Sequence, residues 1–342
     1  MPAIKVWFNR WFSTAYNIID LLRNNQDGTR FHFIVSHPNR YSTSLQNADI
    51  AFIEPDLSDE EYIDYCLNFC RENKIDVLIP NHKSSLIAEY VDMFNKFGTK
   101  VLVWKNTELL RLINDKVSFY DHIKPKNILR IPDYYNVTTK EEFMKAYDKI
   151  KTKGKVCFKP TNGVGGVGFR VINESPYTIE DILNSSPSHS VNLKQLLDLL
   201  PEQGSFKNIM LMEYLDGYEY SIDCLADENG NLIMAIPRKK IDKYNRYLEH
   251  NAELLKIAQE ISYHYKIPYI YNIQVKYKNG EPNLLEVNTR MSGGIHYSCM
   301  SGINLPYEAL KILLNKKIYP SAVKLDIMVG NVDRTIQNIC IG

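Results

Sequence analysis

The sequence predicts a protein of mixed class, an α/β part followed by an α+β part. Over roughly the first 105 residues, apolar strand-like segments alternate with helix-like segments, the pattern of an open parallel sheet covered by helices. After residue 150, short β segments follow one another, with Asn-Gly turns at 227–231 and 278–282, which favour antiparallel hairpins. A length of 342 residues suits two or three domains or subdomains.

The individual elements follow from local periodicity. We expect strands at 4–8, 31–36, 48–54, 76–80 and 100–104, and helices at 14–24, 59–74, 85–98, 106–124 and 141–150. Ligands of such sheets bind at the carboxyl ends of the strands. Arg10, His82 and Lys83 stand at two of these ends. We take them as candidates for holding a substrate, with ordinary loop residues as the alternative.

Composition excludes several classes of protein. The formal net charge is +1, so no global field favours nucleic acid or an acidic membrane. No apolar run approaches the roughly 20 residues of a membrane helix, and the N-terminal stretch lacks the apolar run of a signal peptide. The six cysteines are scattered; we interpret the one close pair, Cys66 and Cys70, as buried thiols, with a metal pair as the alternative, and this usage fits a reducing compartment. We therefore expect a cytoplasmic protein without nucleic-acid or membrane partners.

A glycine-rich stretch, FKPTNGVGGVGFRVI at 158–172, predicts a phosphate-covering loop. It concentrates Gly163, Gly165, Gly166 and Gly168. A dinucleotide fingerprint would open a helix, and a P-loop would continue with Gly-Lys-Ser/Thr, whereas here strand formers follow. We therefore predict a hairpin whose amides close over phosphates, with Lys159 on the entering strand reaching the same phosphates. The alternative is a flexible turn without a ligand.

Two glutamates in IMLMEYLDGYEYSID, residues 209–223, suggest contacts to a nucleoside. Glu213 ends an apolar strand, and the extended hinge after it, Tyr214-Leu215, offers backbone groups to an adenine edge. Glu219 follows six residues later and suits ribose hydroxyls. Each glutamate, taken alone, is equally compatible with a solvated surface position.

The segment NIQVKYKNGEPNLLEVNTRMSGG, residues 272–294, predicts a metal and phosphoryl site. Glu286 and Asn288 are two residues apart on one strand and so share a face, with Gln274 on the preceding strand. Three oxygen ligands on a sheet suit Mg²⁺. Arg290 is placed for a transferring phosphoryl group, and the Ser292-Gly293-Gly294 run supplies backbone amides nearby. The alternative is a structural Glu–Arg pair.

Together these motifs resemble the ATP-grasp superfamily, most closely its carbamoyl phosphate synthetase large-subunit branch. Three N-terminal segments (VWFNRWFS, SHPN and ADIAFIEP) also resemble a bacterial ATP-grasp group of tellurite-resistance-type biosynthetic operons. The resemblance runs in order over nearly the whole chain and implies the ATP-grasp fold behind an N-terminal pre-ATP-grasp open parallel sheet. It implies a pre-ATP-grasp domain at 1–105, a linker at 106–130, a lid subdomain at 131–213 and a catalytic subdomain at 214–342.

The resemblance also assigns roles to residues. It gives nucleotide contacts to Lys116, Lys159, Gly163, Gly165, Gly166, Gly168, Glu213, Tyr214, Leu215 and Glu219, metal ligation to Gln274, Glu286 and Asn288, and catalysis to Arg290 and Lys159. A basic residue near the γ-phosphate or the acceptor falls within Arg238 to Lys240. Which of the three faces the site stays open; we take Lys240 as a catalytic candidate, and Arg238, Ser292 and Gly293 as substrate candidates. Two departures stand out, Thr289 in place of a common proline and neutral Gln274 in place of a common acid.

The implied activity is that of an ADP-forming carboxylate–amine ligase that proceeds through an acyl phosphate. ATP and Mg²⁺ are the implied cofactors, with Mn²⁺ as an alternative ion. The implied partners are a small carboxylate, an amine and, since relatives are often homodimers, a second copy of the chain. Two alternatives share the same nucleotide residues, namely an ATP-grasp enzyme of other chemistry (a kinase or a carboxyphosphate-forming synthetase) and a nucleotide-binding pseudoenzyme.

Overall fold

The protein divides into two compact units. Unit 1 comprises Met1–Arg111, Tyr218–Gln274 and Val287–Gly342, and unit 2 comprises Leu112–Gly217 and Val275–Glu286. The structure, a computed structural model, describes residues 2–161, 167–176, 178–184, 190–318, 322–333 and 335–337. The four-part division expected from the sequence stays a prediction.

Unit 1 begins with a parallel sheet, as the alternating pattern predicts. Its strand order is β3-β2-β1-β4-β5, and every described pair is parallel. The strands are β1 (Ile4–Asn9), β2 (Phe31–His37), β3 (Ile50–Ile53), β4 (Val77–Pro80) and β5 (Lys100–Val101). Asn9 pairs with Pro80 where β1 and β4 end, so the predicted substrate candidates that follow these two residues leave the sheet at one edge.

The helices beside this sheet differ from the predicted ones in one respect. The described helices are α1 (Ala15–Arg23), α2 (Asp59–Asn73), α3 (Ser84–Glu89), α4 (Val91–Lys96) and α5 (Thr107–Asn114). The predicted helix at 85–98 is two helices, because Tyr90 between them leaves helical geometry with φ −109° and ψ 11°.

The predicted helix at 106–124 is also two helices, and the break matters for the site. Asp115 adopts extended geometry (φ −92°, ψ 109°), and its side chain accepts a hydrogen bond from the Ser118 amide. It therefore caps a new helix, α6 (Lys116–Ile123). This cap makes Lys116, the first predicted nucleotide contact, the first residue of α6.

Unit 2 contains a second five-stranded sheet with a core of its own. The strand order is β6-β10-β7-β8-β9, antiparallel except where β8 meets β9. Its strands are β6 (Tyr134–Val137), β7 (Val156–Pro160), β8 (Arg170–Asn173), β9 (Ser190–Asn192) and β10 (Ile209–Glu213). Beside α6, its helices are α7 (Lys140–Lys151), α8 (Ile179–Asn184) and α9 (Leu193–Leu199). Phe143, Ile150 and Leu211 are fully buried or nearly so in this core.

A six-stranded sheet completes the described chain. Its order is β15-β14-β11-β12-β13-β16, and β14 and β15 each have residues in both units. The strands are β11 (Glu219–Ala226), β12 (Leu232–Lys240), β13 (Asn245–Leu248), β14 (Tyr269–Lys278), β15 (Glu281–Asn288) and β16 (Ile327–Gly330). Asn279 and Gly280, both with positive φ, form the two-residue turn between β14 and β15, as the Asn-Gly signal predicts.

Three further helices belong to unit 1, although the sequence patterns above assigned none there. They are α10 (Ala252–Tyr265), α11 (Ile295–Cys299) and α12 (Leu305–Leu313). The buried side chains of α11 and α12 share one hydrophobic core with β1 and α1, including Phe8, Ile18, Ile295 and Leu310. This shared core holds the loop that precedes α11, which carries several predicted site residues. Among the described residues, no helix combines the length and the apolar character that crossing a bilayer requires.

Candidate active site

The glycine-rich stretch lies between two antiparallel strands, as predicted. Cys157 pairs with Val171 and Phe158 with Arg170, so the stretch joins strand to strand and does not open a helix. Gly168 has φ +79°, and a Cβ built on it would lie 2.7 Å from Cγ of Pro160. Glycine is therefore required at Gly168. Gly163, Gly165 and Gly166 lie outside the described residues.

Two lysines and one carboxylate of the predicted set gather in unit 2. Nζ of Lys116 lies 3.6 Å from Oε2 of Glu286, and both side chains are mostly buried, at 12% and 23% exposed. Burial lowers the pKa of Lys159 to about 8, an effect that Glu286 opposes and Lys116 reinforces. The hydroxyl of Tyr120 on α6 donates to the carbonyls of Leu284 and Leu285 on β15, which fixes α6 against the strand that carries Glu286. With two cations to one anion, the cluster suits an anionic ligand such as a polyphosphate.

The predicted adenine hinge is anchored by an ion pair that sequence reasoning missed. Oε2 of Glu213 accepts from Nζ of Lys278 at 2.5 Å, and Oε1 accepts from the Asp133 amide at 3.2 Å. The Tyr214 amide donates to the Lys155 carbonyl, and Leu215 is buried. These two contacts hold the Glu213 carboxylate in place, and its role in nucleotide binding stays a prediction. Lys278 next to the Asn-Gly turn gave no sequence signal of this role.

One face of the six-stranded sheet in unit 1 carries a row of charged side chains. Strand register places Lys240 opposite Arg246 and Ser221 opposite Arg238, and side chains directly opposite each other share a face. Period-two alternation adds Glu219 and Asp223 on β11 to the same face. Nζ of Lys240 lies 3.4 Å from Oε2 of Glu219. The structure thus brings together two residues that the sequence assigned to catalysis and to ribose.

A buried ion pair, also missed from the sequence, holds Arg238 in this face. Asp223 is fully buried and accepts hydrogen bonds from Arg238 at 3.2 Å, Ser298 at 2.6 Å and Asn272 at 2.9 Å. Arg238, 5% exposed, also donates to Ser292 and Ser298. Arg238 is therefore a fixed cation. The alternating residues 219, 221 and 223 were the signal that could have revealed Asp223.

The loop before α11 fits closely around that guanidinium. A Cβ on Gly294 would lie 2.6 Å from Nη1 of Arg238, whereas a Cβ on Gly293 would meet only Oγ1 of Thr14 at 4.0 Å. Arg290 donates from Nη1 to the Met291 carbonyl, and its guanidinium lies 5.0 Å from the centroid of the Phe12 ring. The loop therefore places Ser292 and the Gly294 backbone beside Arg238, which the sequence did not predict, and sets Arg290 against the segment that follows β1.

The predicted metal ligands offer a consistent set of donors. On β15, Glu286 and Asn288 are half-buried on either side of buried Val287, so alternation directs both to one face. Gln274 lies half-buried on the neighbouring β14, between buried Ile273 and Val275. Carboxylate and amide oxygens of this kind fit Mg²⁺. The described residues contain no group of three His, Cys, Asp or Glu side chains placed for a metal, so Gln274, Glu286 and Asn288 stay the predicted ligands.

The three substrate candidates of the first sheet gather around one tyrosine, Tyr62. The Arg10 guanidinium lies 5.4 Å from its ring centroid and the Lys83 ammonium 5.0 Å, while the His82 ring meets it edge-on. Burial, then the charges of Arg10 and Lys83, lower the pKa of His82 to about 4. Arg10 and Lys83 both have positive φ, which is uncommon outside glycine. Their role in substrate binding stays a prediction.

Carboxylates already neutralise part of this cluster. Buried Glu54 accepts from Arg10 and from the Tyr62 hydroxyl, each at 2.5 Å, and Lys83 pairs with Asp59 at 2.7 Å. Burial raises the pKa of Glu54, although these two hydrogen bonds lower it. An acidic substrate would have to share these cations with carboxylates of the protein, a condition that sequence patterns did not reveal.

Comparison with known proteins supports the ATP-grasp resemblance. Residues 205–335 match the family model described as ATP-grasp in the biosynthetic pathway with Ter operon, and residues 14–102 match the model of the PylC-like N-terminal domain. The carbamoyl phosphate synthase large chain of Thermoanaerobacter sp. (strain X514) is 22% identical over 306 residues, which cover 85% of this chain. The matched region is 26% of that protein, so the chain spans about a quarter of the length of the curated relatives it matches.

Solved structures share the fold over almost the whole chain. The ADP complex of purK, N5-carboxyaminoimidazole ribonucleotide synthetase, has a TM-score of 0.65 at 13% identity and covers 96% of this chain and 81% of its own. The biotin carboxylase domain of Hydrogenobacter thermophilus 2-oxoglutarate carboxylase, solved with MgADP and bicarbonate, has a TM-score of 0.63 at 14% identity, covering 95% and 73%. The predicted ATP-grasp fold is confirmed, and residues 205–335 carry the similarity to an ATP-grasp family.

Proposed function

We propose that this protein is an ATP-dependent carboxylate–amine ligase that forms an acyl phosphate and ADP. The observation that carries the proposal is the cluster of Lys116, Lys159 and Glu286, with Asn288 two residues further along the same strand. Two lysines beside one carboxylate suit the phosphates of a nucleotide and its metal. The proposal includes the four-part division of the chain and the residue roles given above.

The first step transfers the γ-phosphoryl group of ATP to the acceptor acid. A carboxylate oxygen attacks the γ-phosphorus, forming a new O–P bond, while the bond from this phosphorus to the bridging oxygen breaks and ADP leaves. Negative charge spreads over the phosphoryl oxygens in the transition state. Lys159 and Arg290 stabilise that charge, and Lys116 holds Glu286 in place. Gln274, Glu286 and Asn288 would hold Mg²⁺, which would neutralise further charge on the phosphate oxygens.

The second step joins the amine to the activated acid. The amine nitrogen attacks the carbonyl carbon of the acyl phosphate, the C–N bond forms, and the C–O bond to phosphate breaks. Inorganic phosphate leaves, and the nitrogen loses one proton to solvent. The glycine-rich hairpin around Gly168 excludes water, which would otherwise hydrolyse the acyl phosphate.

Phosphate release from MgATP tests the proposal. The protein is assayed with pooled small carboxylic acids, with and without pooled amines including ammonia, and in parallel with Mn²⁺ in place of Mg²⁺. We expect release that requires both an acid and an amine and that falls at least 100-fold in Glu286→Ala.

Each other outcome points to a different function. ADP formed with an acid alone and without phosphate release indicates a kinase, and phosphate release with bicarbonate alone indicates a carboxyphosphate-forming synthetase. Nucleotide binding without release under any condition indicates a nucleotide-binding pseudoenzyme. Sedimentation of the same preparation tests the homodimer that the resemblance implies.

A further inference from the structure

Arg246 is a cation that the proposed chemistry does not use. The face of β11, β12 and β13 described above carries two acids, Glu219 and Asp223, and each pairs with a cation of β12, Lys240 at 3.4 Å and Arg238 at 3.2 Å. Arg246 on β13 is the third cation of this face. Among the described residues its hydrogen-bond acceptors are the backbone carbonyls of Asp242 and Asn245.

Arg246 lies beside an aromatic ring and a second arginine rather than on an open surface. Its guanidinium lies 5.0 Å from the centroid of the Tyr297 ring, and that of Arg238 lies 5.8 Å from the same ring. Tyr297 is 8% exposed. Burial lowers the pKa of Arg246 and the charge of Arg238 lowers it further, whereas Tyr297, Glu219 and Asp242 oppose this shift. A half-buried guanidinium whose hydrogen bonds within the described part of the chain go only to backbone carbonyls favours an anion.

A histidine next to Tyr297 has no hydrogen-bond partner in the part of the chain that the structure describes. Both ring nitrogens of His296 are buried, and neither has a partner among the described residues. Burial and the charge of Arg238 hold its pKa down to about 4, with Arg246 adding to the effect and Asp223 opposing it. The ring is therefore neutral at pH 7 and has one N–H to donate. Buried polar nitrogens without partners are rare, and a ligand can satisfy them.

Strand spacing separates Arg246 from two of the predicted metal ligands, Gln274 and Asn288. In the sheet order, β13 lies three strands from β14 and four from β15. At about 4.8 Å per strand, Arg246 starts roughly 14 Å from the strand of Gln274 and roughly 19 Å from that of Asn288. An anion held by Arg246 is therefore a different group from the carboxylate that meets the γ-phosphate.

We propose that Arg246 and His296, beside the fixed Asp223–Arg238 pair and Tyr297, bind a second carboxylate of the acceptor, so that the acceptor is a dicarboxylic acid or an acidic amino acid. The identification of the ligand as the acceptor acid rests on the proposed function. The binding site itself consists of residues of unit 1 only. Arg246 binds the carboxylate, and the N–H of His296 donates a hydrogen bond to it. Arg238 contributes positive charge beside the site.

Binding measured without catalysis tests this subsite. The probes are the linear dicarboxylates from malonate to adipate, with L-aspartate and L-glutamate, each compared with its monoamide. Binding is followed by NMR of ¹³C-labelled histidine, with the His296 signal identified from His296→Gln, both with and without MgADP. We expect at least one dicarboxylate to shift the His296 signal saturably and its monoamide to bind at least tenfold more weakly.

Matched variants assign the effect to Arg246. Arg246→Gln should weaken binding of that dicarboxylate at least tenfold, and Arg246→Lys should weaken it less, because the charge remains. Arg71→Gln, which removes an exposed arginine of α2, should leave binding unchanged. The same Arg246→Gln variant should raise the KM for the acid and leave the KM for ATP within twofold.

Several results would overturn the subsite. It is wrong if no dicarboxylate shifts the His296 signal in either condition, or if inorganic phosphate shifts it as strongly as the carboxylates. It is also wrong if Arg246→Gln binds the acid normally or changes the KM of ATP instead. Because this assay needs no turnover, a failure here is distinguishable from a failure of the ligase proposal, which concerns phosphate release.

Discussion

Substitution of Gly294 by alanine should displace the buried guanidinium of Arg238. Gly294 has φ −104° and ψ 13°, so its backbone accepts alanine without strain. The new Cβ, however, would lie 2.6 Å from Nη1 and 2.9 Å from Cζ of Arg238. Ordinary van der Waals contact begins near 3.5 Å, so the guanidinium must move by about 1 Å.

That displacement has a calculable cost. Arg238 donates to Asp223 and Ser292 at 3.2 Å and to Ser298 at 3.3 Å, and a shift of about 1 Å takes at least one of these beyond hydrogen-bond distance. Losing a hydrogen bond to a charged group costs about 1.5–3 kcal/mol. We therefore expect Gly294→Ala to lower the free energy of unfolding of unit 1 by that amount.

The assay is urea unfolding followed by tryptophan fluorescence. The three tryptophans of the chain, Trp7, Trp11 and Trp104, all lie in unit 1. Gly293→Ala is the matched control, because its Cβ meets only the Thr14 hydroxyl, at 4.0 Å. Equal unfolding midpoints for the two variants would refute the account of Arg238 as a fixed cation.

Three further predictions concern Lys159, Asp223 and Lys278. Since burial lowers the pKa of Lys159 to about 8, the ammonium is lost as pH rises through 8; MgADP affinity should fall between pH 7 and 9, and Lys159→Arg, which stays charged, should flatten that profile in a fluorescence titration. Asp223→Ala leaves Arg238 buried without its carboxylate and should destabilise the protein by about 3–5 kcal/mol in urea unfolding; a loss under 1 kcal/mol would contradict a buried ion pair. Lys278→Ala removes the partner of Glu213 and should weaken MgADP binding severalfold in calorimetry, and unchanged affinity would mean that this pair does not position the hinge.

Local sequence patterns predicted the helices and strands around the site better than the side-chain contacts between them. The apolar segments of β1 and β2, the Asn-Gly turn at Asn279 and the strands around the glycine-rich loop are all local signals, and the structure confirms them. The break at Asp115 was missed because an aspartate inside a helical pattern reads equally well as an exposed side chain. Its role as a cap depends on a backbone conformation that periodicity does not report.

Long-range partners account for most of what the sequence did not predict. Lys159 was identified from its own strand, but its lowered pKa depends on burial and on Lys116 and Glu286, which lie far away in the chain. Arg246 and His296 gave no local signal. Only the pairing of β12 with β13 and the packing of Tyr297 bring them beside Arg238.

Transfer of oxygen from the acceptor acid to phosphate is the measurement that tests the central claim most directly. The acid identified by phosphate release is labelled with ¹⁸O in its reacting carboxylate and incubated with MgATP and the amine. An acyl-phosphate route places one labelled oxygen in each inorganic phosphate released, because the C–O bond breaks in the second step. Unlabelled phosphate, with the label retained in the acid, would contradict the ligase account.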